Sequence, residues 1–358
     1  MPPNPYQLLA QRLDSLPNGF PPSPDGLEIR LLERLYTPEE AALTALLRLT
    51  LENSHQITAR IGGDHKQIRE MLKSMAKRGL INAGRVEGGI GYGLLPFVVG
   101  IYELQVNNLD AELAQLFEQY YQQSFGQMLK IEPAVHRVIP VGESVQVDME
   151  IRPYESAADI VRNANAWGVV ECICRKQKTL IGDPCDHPLE VCMMLNNQPG
   201  AFDSSSYIRA LTLDEALQTL QVAAEAGLVH TVSNNQHGES YICNCCTCSC
   251  GILRGISELG IANAVAHSAF VNSVDEELCL ACEDCLAYCQ FEALSIDLIA
   301  QVDQLRCVGC GVCVQACPED ALILVRRQEP DVLPVPRSKS EWLQQRASFR
   351  QIDLNEVL

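Results

Sequence analysis

Two cysteine runs near the end of the chain decide its fold. The first reads CLACEDCLAYC over residues 279–289, and the second reads CVGCGVCVQAC over residues 307–317. Both follow the spacing C-x2-C-x2-C-x3-C, and an offset of 28 residues maps every cysteine of the first run onto one of the second. The same offset maps Glu292-Ala293-Leu294 onto Asp320-Ala321-Leu322. The segment is therefore an internal duplication.

The spacing of these runs favours iron-sulfur chemistry. Three closely spaced thiolates can wrap one cluster, while the fourth, carried onto a following helix, crosses to the other cluster. Structural zinc sites instead use paired C-x2-C knuckles that lie far apart. The duplicated segment resembles bacterial-type ferredoxins that hold two 4Fe-4S clusters. The resemblance implies a βαββαβ domain over residues 274–327.

The resemblance also assigns the ligands, because each run of such a ferredoxin completes the site of the other. One cluster receives Cys279, Cys282, Cys285 and Cys317, and the other receives Cys307, Cys310, Cys313 and Cys289. Pro318 follows the last cysteine as the ferredoxin pattern expects, whereas Gln290 occupies the equivalent position of the first run. That departure removes no ligand.

The ferredoxin segment is strongly acidic. Between residues 274 and 326 it has ten acidic residues against two arginines. Negative charge near a cluster disfavours its reduced form, so we expect a low reduction potential. The same charge would form a docking face for a redox partner with a basic surface.

Nine further cysteines lie between the cysteine-free first half of the chain and the ferredoxin segment: Cys172, Cys174, Cys185, Cys192, Cys243, Cys245, Cys246, Cys248 and Cys250. Apolar stretches precede Cys172 and Cys243, and each is predicted to be a strand that turns both thiols of its C-x-C to one face. Cys185 is predicted to precede a helix capped by Asp186. One or two additional iron-sulfur clusters are the favoured interpretation, and structural zinc is the alternative. His187, His230 and His237 are expected to be solvated or structural.

The combination of these motifs resembles a widespread, poorly characterised family of 4Fe-4S proteins from anaerobic bacteria and archaea. The motifs are CxCR from residue 172, PCDHPxExC from residue 184 and CNCCxC from residue 243, ahead of the two-cluster ferredoxin segment. The resemblance covers most of the chain and its motifs are specific, but it implies no particular reaction.

The cysteine-free first half is predicted to contain a winged helix-turn-helix over residues 37–104. A capping box at Thr37 opens a helix through residue 51, residues 57–61 form a short helix, and Asp64 caps a third helix through Gly79. GGIGYG, at residues 88–93, forms the wing rather than a dinucleotide loop. The basic residues of the third helix are Lys66, Arg69, Lys73, Lys77 and Arg78. They would suit DNA, but docking to protein is favoured because the remainder of the chain is acidic.

The remaining segments complete an α+β chain. Residues 105–255 are predicted to form an α+β domain that carries the nine cysteines. It would contain a helix over residues 108–129, strands over 138–141 and 145–151, a helix over 209–229, and a hairpin of 228–232 with 241–244. Residues 1–36 form an N-terminal arm and residues 328–358 a C-terminal tail, both expected to be extended because they are rich in proline.

Composition limits the function. The chain has 358 residues, 17 cysteines and a net charge of −18. The charge argues against a general nucleic-acid binder. No secretory signal and no apolar stretch long enough for a bilayer is present, so we expect a cytoplasmic protein in which free thiols serve as metal or redox ligands.

Three functional hypotheses are compatible with these features. The first is an electron-transfer protein that passes electrons through the two ferredoxin clusters and a further cluster of the middle domain to a redox partner. The second is a reductase subunit with a reactive thiol or an open iron position in the middle site. The third is a redox-sensing, DNA-binding regulator. No catalytic acid or base is predicted, so the chain is more readily a carrier or subunit than a stand-alone enzyme.

Overall fold

The fold mixes helices with small antiparallel sheets. The structure is a computed structural model that describes residues 3–142, 144–145, 151–205, 207–328 and 334–358. The chain divides into two compact units. The first comprises Met1–Ile131, Leu180–Asp183 and Leu343–Leu358, and the second comprises Glu132–Thr179 and Pro184–Trp342.

Helices dominate the first unit. In chain order its elements are α1 (Pro5–Asp14), α2 (Leu27–Leu35), α3 (Pro38–Thr44), β1 (Glu52–Asn53), α4 (Ser54–Ile61), α5 (His65–Lys77), β2 (Asn82–Val86), β3 (Gly89–Gly93) and α6 (Ala111–Gln123). The strands form an antiparallel sheet in the order β1-β3-β2. Strands β2 and β3 form a hairpin at the position where the sequence predicts the wing at GGIGYG.

The caps predicted in this unit are present. Thr37 and Glu40 form the capping box of α3, with Glu40 N donating to Thr37 Oγ1 over 3.3 Å. Asp64 caps α5 by accepting from Gln67 N at 2.8 Å. However, α3 ends at Thr44 rather than at residue 51. The chain beyond it is held in another conformation, because Arg12 donates to the carbonyl of Leu47 and residues 52–53 pair with β3.

The expectation of an extended N-terminal arm is wrong. Residues 5–14 and 27–35 are helices, and they bury Leu9, Leu13, Leu31 and Leu32. The leucines follow a helical period, so their burial outweighs the effect of the neighbouring prolines.

The C-terminal tail is also not simply extended. Helix α13 (Lys339–Arg350) contains Arg346, which is 1% exposed. Its guanidinium donates to the carbonyls of Pro17 and Met128 at 2.9 and 3.0 Å and to that of Ile131. The end of the chain is therefore an integral part of the first unit. Residues 329–333, which include Pro330, lie outside the described residues.

The helix expected over residues 108–129 is shorter than predicted. It is α6, which ends at Gln123, followed by a 3-10 segment over Phe125–Lys130. Ser124 breaks the helix, since its backbone leaves the helical region and its hydroxyl donates to Pro22 O at 3.1 Å.

The second unit contains the main sheet and all the cysteines. Its elements are β4 (His136–Ile139), α7 (Ala157–Asn163), β5 (Ala166–Glu171), α8 (Ile173–Leu180, whose last residue belongs to the first unit), β6 (Glu190–Asn196), β7 (Arg209–Leu211), α9 (Leu213–Glu225), β8 (Val229–Ser233), β9 (Tyr241–Cys245), α10 (Arg254–Ser257), β10 (Phe270–Val274), α11 (Asp284–Tyr288), β11 (Leu294–Ile296), β12 (Ala300–Val302), α12 (Val312–Gln315) and β13 (Leu322–Arg326).

Six of these strands form one antiparallel sheet in the order β4-β8-β9-β6-β5-β7. Apolar residues of α7 and α9 pack against it. The predicted hairpin is confirmed, because β8 pairs with β9. The helix predicted over residues 209–229 begins only after the capping box of Thr212, since residues 209–211 pair with β5 as a strand. Of the strand predicted at 145–151, Val145 forms a single bridge to Leu324, and residues 146–150 lie outside the described residues.

The last part of the unit has the element order β10, α11, β11, β12, α12, β13. Strand β10 pairs with β13, and β11 pairs with β12. Within the described part of the chain, none of the helices combines the length and apolar character needed to cross a membrane.

Candidate metal centres

The eight cysteines of the duplicated runs line two cavities. Cys279, Cys282, Cys285 and Cys317 line the first cavity. Cys289, Cys307, Cys310 and Cys313 line the second cavity. Each cavity therefore combines three cysteines of one run with the last cysteine of the other.

The loops around the two cavities repeat each other's backbone conformation. Ala281 and Glu283 have φ values of 54° and 69°, and their equivalents at the 28-residue offset, Gly309 and Gly311, have 70° and 76°. A left-handed backbone is costly for residues with a side chain. The left-handed backbone occurs in both loops at equivalent positions. This indicates that both cysteine triplets require the same loop conformation.

Burial keeps several of these thiols protonated. Burial raises the pKa of Cys310 to about 12, and it also raises the pKa of Cys285 and Cys313. Metal ions bind cysteine as the thiolate, and their positive charge compensates the negative charge of the buried sulfur atoms. The two cavities therefore suit a cationic iron-sulfur core.

Hydrogen-bond donors already point at the sulfur atoms. Asn272 Nδ2 donates to Cys313 Sγ at 3.1 Å, Ala293 N to Cys289 Sγ at 3.3 Å, and Ala300 N to Cys279 Sγ at 3.4 Å. Asn272 and Ala300 are equivalent positions at the offset of 28. The side chain of Asn272 supplies a donor in the second cavity, and the backbone of Ala300 supplies a donor in the first cavity. Such bonds stabilise negative charge on sulfur and tune the potential of a cluster.

Six cysteines of the middle region form a second kind of group, which we call the six-thiol ring. The pKa of each thiol is shifted by two other thiols of the set, in the cyclic order Cys172, Cys174, Cys250, Cys245, Cys243 and Cys192. All six are buried or half-buried. Four thiolates are enough for a 4Fe-4S cluster, so the ring offers more sulfur than one cluster needs.

The sheet and one strand-to-helix turn create the ring. Cys243 and Cys245 lie on β9, where the period of two places them on one face, as predicted. The prediction for the first C-x-C is wrong, because β5 ends at Glu171 and Cys174 lies in α8. The register of β5 against β6 shifts after Val170, so the chain leaves the sheet before Cys172.

Arg175 lies beside the ring and carries a positive charge into a buried place. It is 2% exposed, and its Nη1 atom donates to Asn244 O at 3.1 Å and to Cys246 Sγ at 3.7 Å. Burial alone would lower its pKa, but the thiolates of Cys172, Cys192 and Cys246 raise it.

The other guanidinium atoms of Arg175 still need acceptors. Nε and Nη2 are buried and have no hydrogen-bond partner among the residues that the structure describes. Buried N–H groups are almost always satisfied. The sulfur atoms of a cluster bound in the ring would satisfy them, so the ring and Arg175 together fit an iron-sulfur cluster.

The last three cysteines of the middle region join a histidine. The Cys3His group consists of Cys185, His187, Cys246 and Cys248, whose ligand atoms all lie within 4.8 Å of one another. The Sγ atoms of Cys185 and Cys246 are 4.0 Å apart, and Cys248 Sγ is 3.9 Å from His187 Nδ1. Hydrogen bonding to the cysteines raises the pKa of His187 to about 9, with Cys246 as the largest cause.

One sequence expectation about this group is wrong. Residues 185–188 form no helix and run as a loop into β6, because Leu189 O accepts from Cys172 N at 2.8 Å and draws the segment toward the sheet. His187, which was expected to be solvated or structural, lies among three thiols. The spacing Cys-x-His at residues 185–187 did not single it out, because Cys246, which completes the group with Cys248, lies 61 residues beyond Cys185 in the chain. His230 is instead structural, buried against Asn244 Oδ1 at 2.5 Å, and His237 is exposed.

Gln290 connects the ferredoxin segment to this group. Its Oε1 atom accepts from Thr247 N at 2.8 Å, and its amide donates to Gly227 O. Thr247 lies between Cys246 and Cys248, and Gln290 follows Cys289 directly. The departure from the ferredoxin pattern is therefore a contact between two cysteine sites, which the sequence alone did not indicate.

Comparison with known proteins supports the chemistry of one part of the chain. The family model described as a 4Fe-4S binding domain matches residues 300–323, which contain the whole second cysteine run. No curated protein and no solved structure matches the chain. The match, together with the cysteine groups, identifies an iron-sulfur protein with a 4Fe-4S binding domain.

Proposed function

We propose that this chain is an electron-transfer protein with two ferredoxin-type 4Fe-4S clusters and one further 4Fe-4S cluster in the six-thiol ring. When bound, such clusters accept and release single electrons. The observation that carries the proposal is that both cavities of the ferredoxin segment and the six-thiol ring lie in one compact unit. Gln290 and Arg175 link neighbouring cysteine sites within it.

Three findings support the ferredoxin part. The two cavities each unite one cysteine triplet with the last cysteine of the other run. The strand and helix order over residues 270–326 is βαββαβ. The 4Fe-4S family match covers the second run. We therefore assign Cys279, Cys282, Cys285 and Cys317 to one cluster and Cys289, Cys307, Cys310 and Cys313 to the other.

The first cavity is the favoured place for exchange with a partner. Cys282 is exposed there, and the nearby side chains of Leu278 and Leu280 are 47% and 68% exposed. The acidic residues Glu283 and Glu319 also line this cavity. A partner with a basic rim and an apolar centre would match it, and charge attraction would speed the encounter.

The first unit is the favoured docking module. We propose a winged helix for residues 37–104, supported by the order α3, β1, α4, α5, β2, β3 and by the three-stranded sheet. Lys73 of α5 pairs with Glu70 at 3.1 Å, and Arg78, the residue directly after α5, pairs with Glu40. Both pairs reduce the positive charge that could face phosphate. Binding to a protein is therefore preferred over binding to DNA.

A second candidate function is a reductase subunit. The six-thiol ring has two thiols more than a 4Fe-4S cluster requires, and a spare thiol could react with a substrate.

We also propose the cytoplasm as the compartment, because all 17 cysteines are free thiols.

Reductive titration of a chain with alanine at all eight ferredoxin cysteines tests the proposal. This chain should still bind iron and sulfide through the ring, and should accept about one electron per chain, since a 4Fe-4S cluster cycles between adjacent states. A matched chain that also has Cys172→Ala, Cys174→Ala and Cys245→Ala keeps only three ring thiols and should lose the iron, the sulfide and the electron. Retention of zinc without sulfide in the eight-alanine chain would contradict the proposed third cluster.

A further inference from the structure

We propose that the Cys3His group binds a single divalent metal ion of the zinc class, separate from every iron-sulfur cluster of the chain. Three thiolates and one imidazole are a ligand set that zinc accepts in closed, tetrahedral structural sites.

The distances within the group suit one ion. A tetrahedral zinc ion with Zn–S bonds of about 2.3 Å places its ligand atoms about 3.8 Å from each other. The Cys185–Cys246 and Cys248–His187 separations are 4.0 and 3.9 Å, and no pair exceeds 4.8 Å. Small side-chain adjustments would close the site around an ion. A four-iron cluster binds each thiolate through a different iron atom and needs a wider arrangement.

The group is separate from the six-thiol ring even though Cys245 and Cys246 are adjacent in the chain. Cys245 faces the ring and lies 3.5 Å from Thr231 Oγ1, whereas Cys246 faces Cys185. The guanidinium of Arg175 also contacts Cys246, with Nη1 at 3.7 Å from its Sγ atom. A buried cation next to Cys246 would offset the excess negative charge of three zinc-bound thiolates.

Polar atoms around the group support ligand sulfurs. Ser249 Oγ lies 3.4 Å from Cys185 Sγ and 3.9 Å from Cys248 Sγ. Outer hydrogen bonds of this kind orient ligands and commonly change metal affinity when they are removed.

The position of the ion gives it a structural task. The loop from Cys246 to Cys248 carries Thr247, whose N–H donates to Gln290 beside the second cavity. An ion that clamps both ends of this loop would hold that contact in place. This consequence rests on the proposed electron-transfer function, whereas the metal site itself does not.

Metal analysis of the intact chain, purified anaerobically with iron, tests the site. We expect about one zinc per chain, and X-ray absorption at the zinc edge should show three sulfur ligands and one nitrogen ligand. His187→Ala should weaken zinc binding at least tenfold while iron and sulfide stay unchanged. His237→Ala removes an exposed histidine as the matched control and should change nothing, and His187→Cys should restore zinc with four sulfur ligands.

The iron and sulfide content makes failure of the two proposals distinguishable. If His187→Ala removed iron and sulfide in proportion, the group would be part of a cluster and the separate zinc site would be wrong. If His187→Ala left zinc fully bound with its ligands unchanged, the site would also be wrong. Loss of zinc alone supports the site whether or not the clusters transfer electrons.

Discussion

Asn272 provides a sharp test of how the chain tunes its clusters. This residue lies on β10, is 3% exposed, and donates to Cys313 Sγ at 3.1 Å. Reduction adds negative charge to the cluster, so a donor to its sulfur stabilises the reduced state more than the oxidised state. Asn272→Leu should therefore lower the reduction potential of the cluster in the second cavity.

The size of the shift follows from the worth of one hydrogen bond. A net contribution of about 0.5–1.5 kcal/mol, if gained wholly on reduction, corresponds to roughly 20–60 mV for one electron. This is an upper limit, because part of the bond is already made in the oxidised state. Leucine has a similar shape to asparagine. Asn272 Oδ1 accepts no hydrogen bond among the described residues, so its removal by the substitution leaves no donor without an acceptor.

A redox titration of the intact chain, followed by electron paramagnetic resonance, measures this shift. The cluster of the first cavity serves as an internal reference, because Ala300 N donates to Cys279 there and is unaffected. Ser273→Ala, on the opposite face of β10, is the control and should leave both potentials unchanged. A raised potential, or an equal shift of both clusters, would refute the reasoning.

Three further predictions address ligands, stability and partners. Cys317→Ala should damage the cluster of the first cavity and spare that of the second, and spectroscopy that shows the reverse would disprove the crossed assignment. Arg346→Leu should destabilise the first unit by about 2–4 kcal/mol, because three buried carbonyls lose a charged donor. Thermal unfolding measures this, and exposed Arg30→Leu should have little effect; equal melting for both variants would show that Arg346 is dispensable. The intact, cluster-loaded chain should not bind duplex DNA measurably at physiological salt, because its net charge is −18, and sequence-selective binding that changes with redox state would make it a regulator.

Short-range patterns predicted much of this molecule. The caps at Thr37, Asp64 and Thr212 depend on a few consecutive residues, and the structure has all three. The duplication also follows from spacing alone. Signals of this kind survive because the residues that form the contact are neighbours in the chain.

Features decided by distant contacts could not be predicted in this way. Cys174 lies in a helix because β5 ends at Glu171, three residues before Cys174, although the apolar run predicted a strand through both thiols. His187 becomes a candidate ligand only because a loop from residue 246 folds against it. The C-terminal segment packs because Arg346 finds carbonyls more than 200 residues away. Each of these depends on packing that no local pattern records.

Counting metal and sulfide in the full-length chain, purified anaerobically, tests the central claim most directly. Three 4Fe-4S clusters and the Cys3His ion together predict about twelve iron atoms, about twelve acid-labile sulfides and about one zinc ion per chain. About eight iron atoms and eight sulfides, with zinc filling the six-thiol ring, would contradict the third cluster and leave only the two ferredoxin clusters as electron carriers.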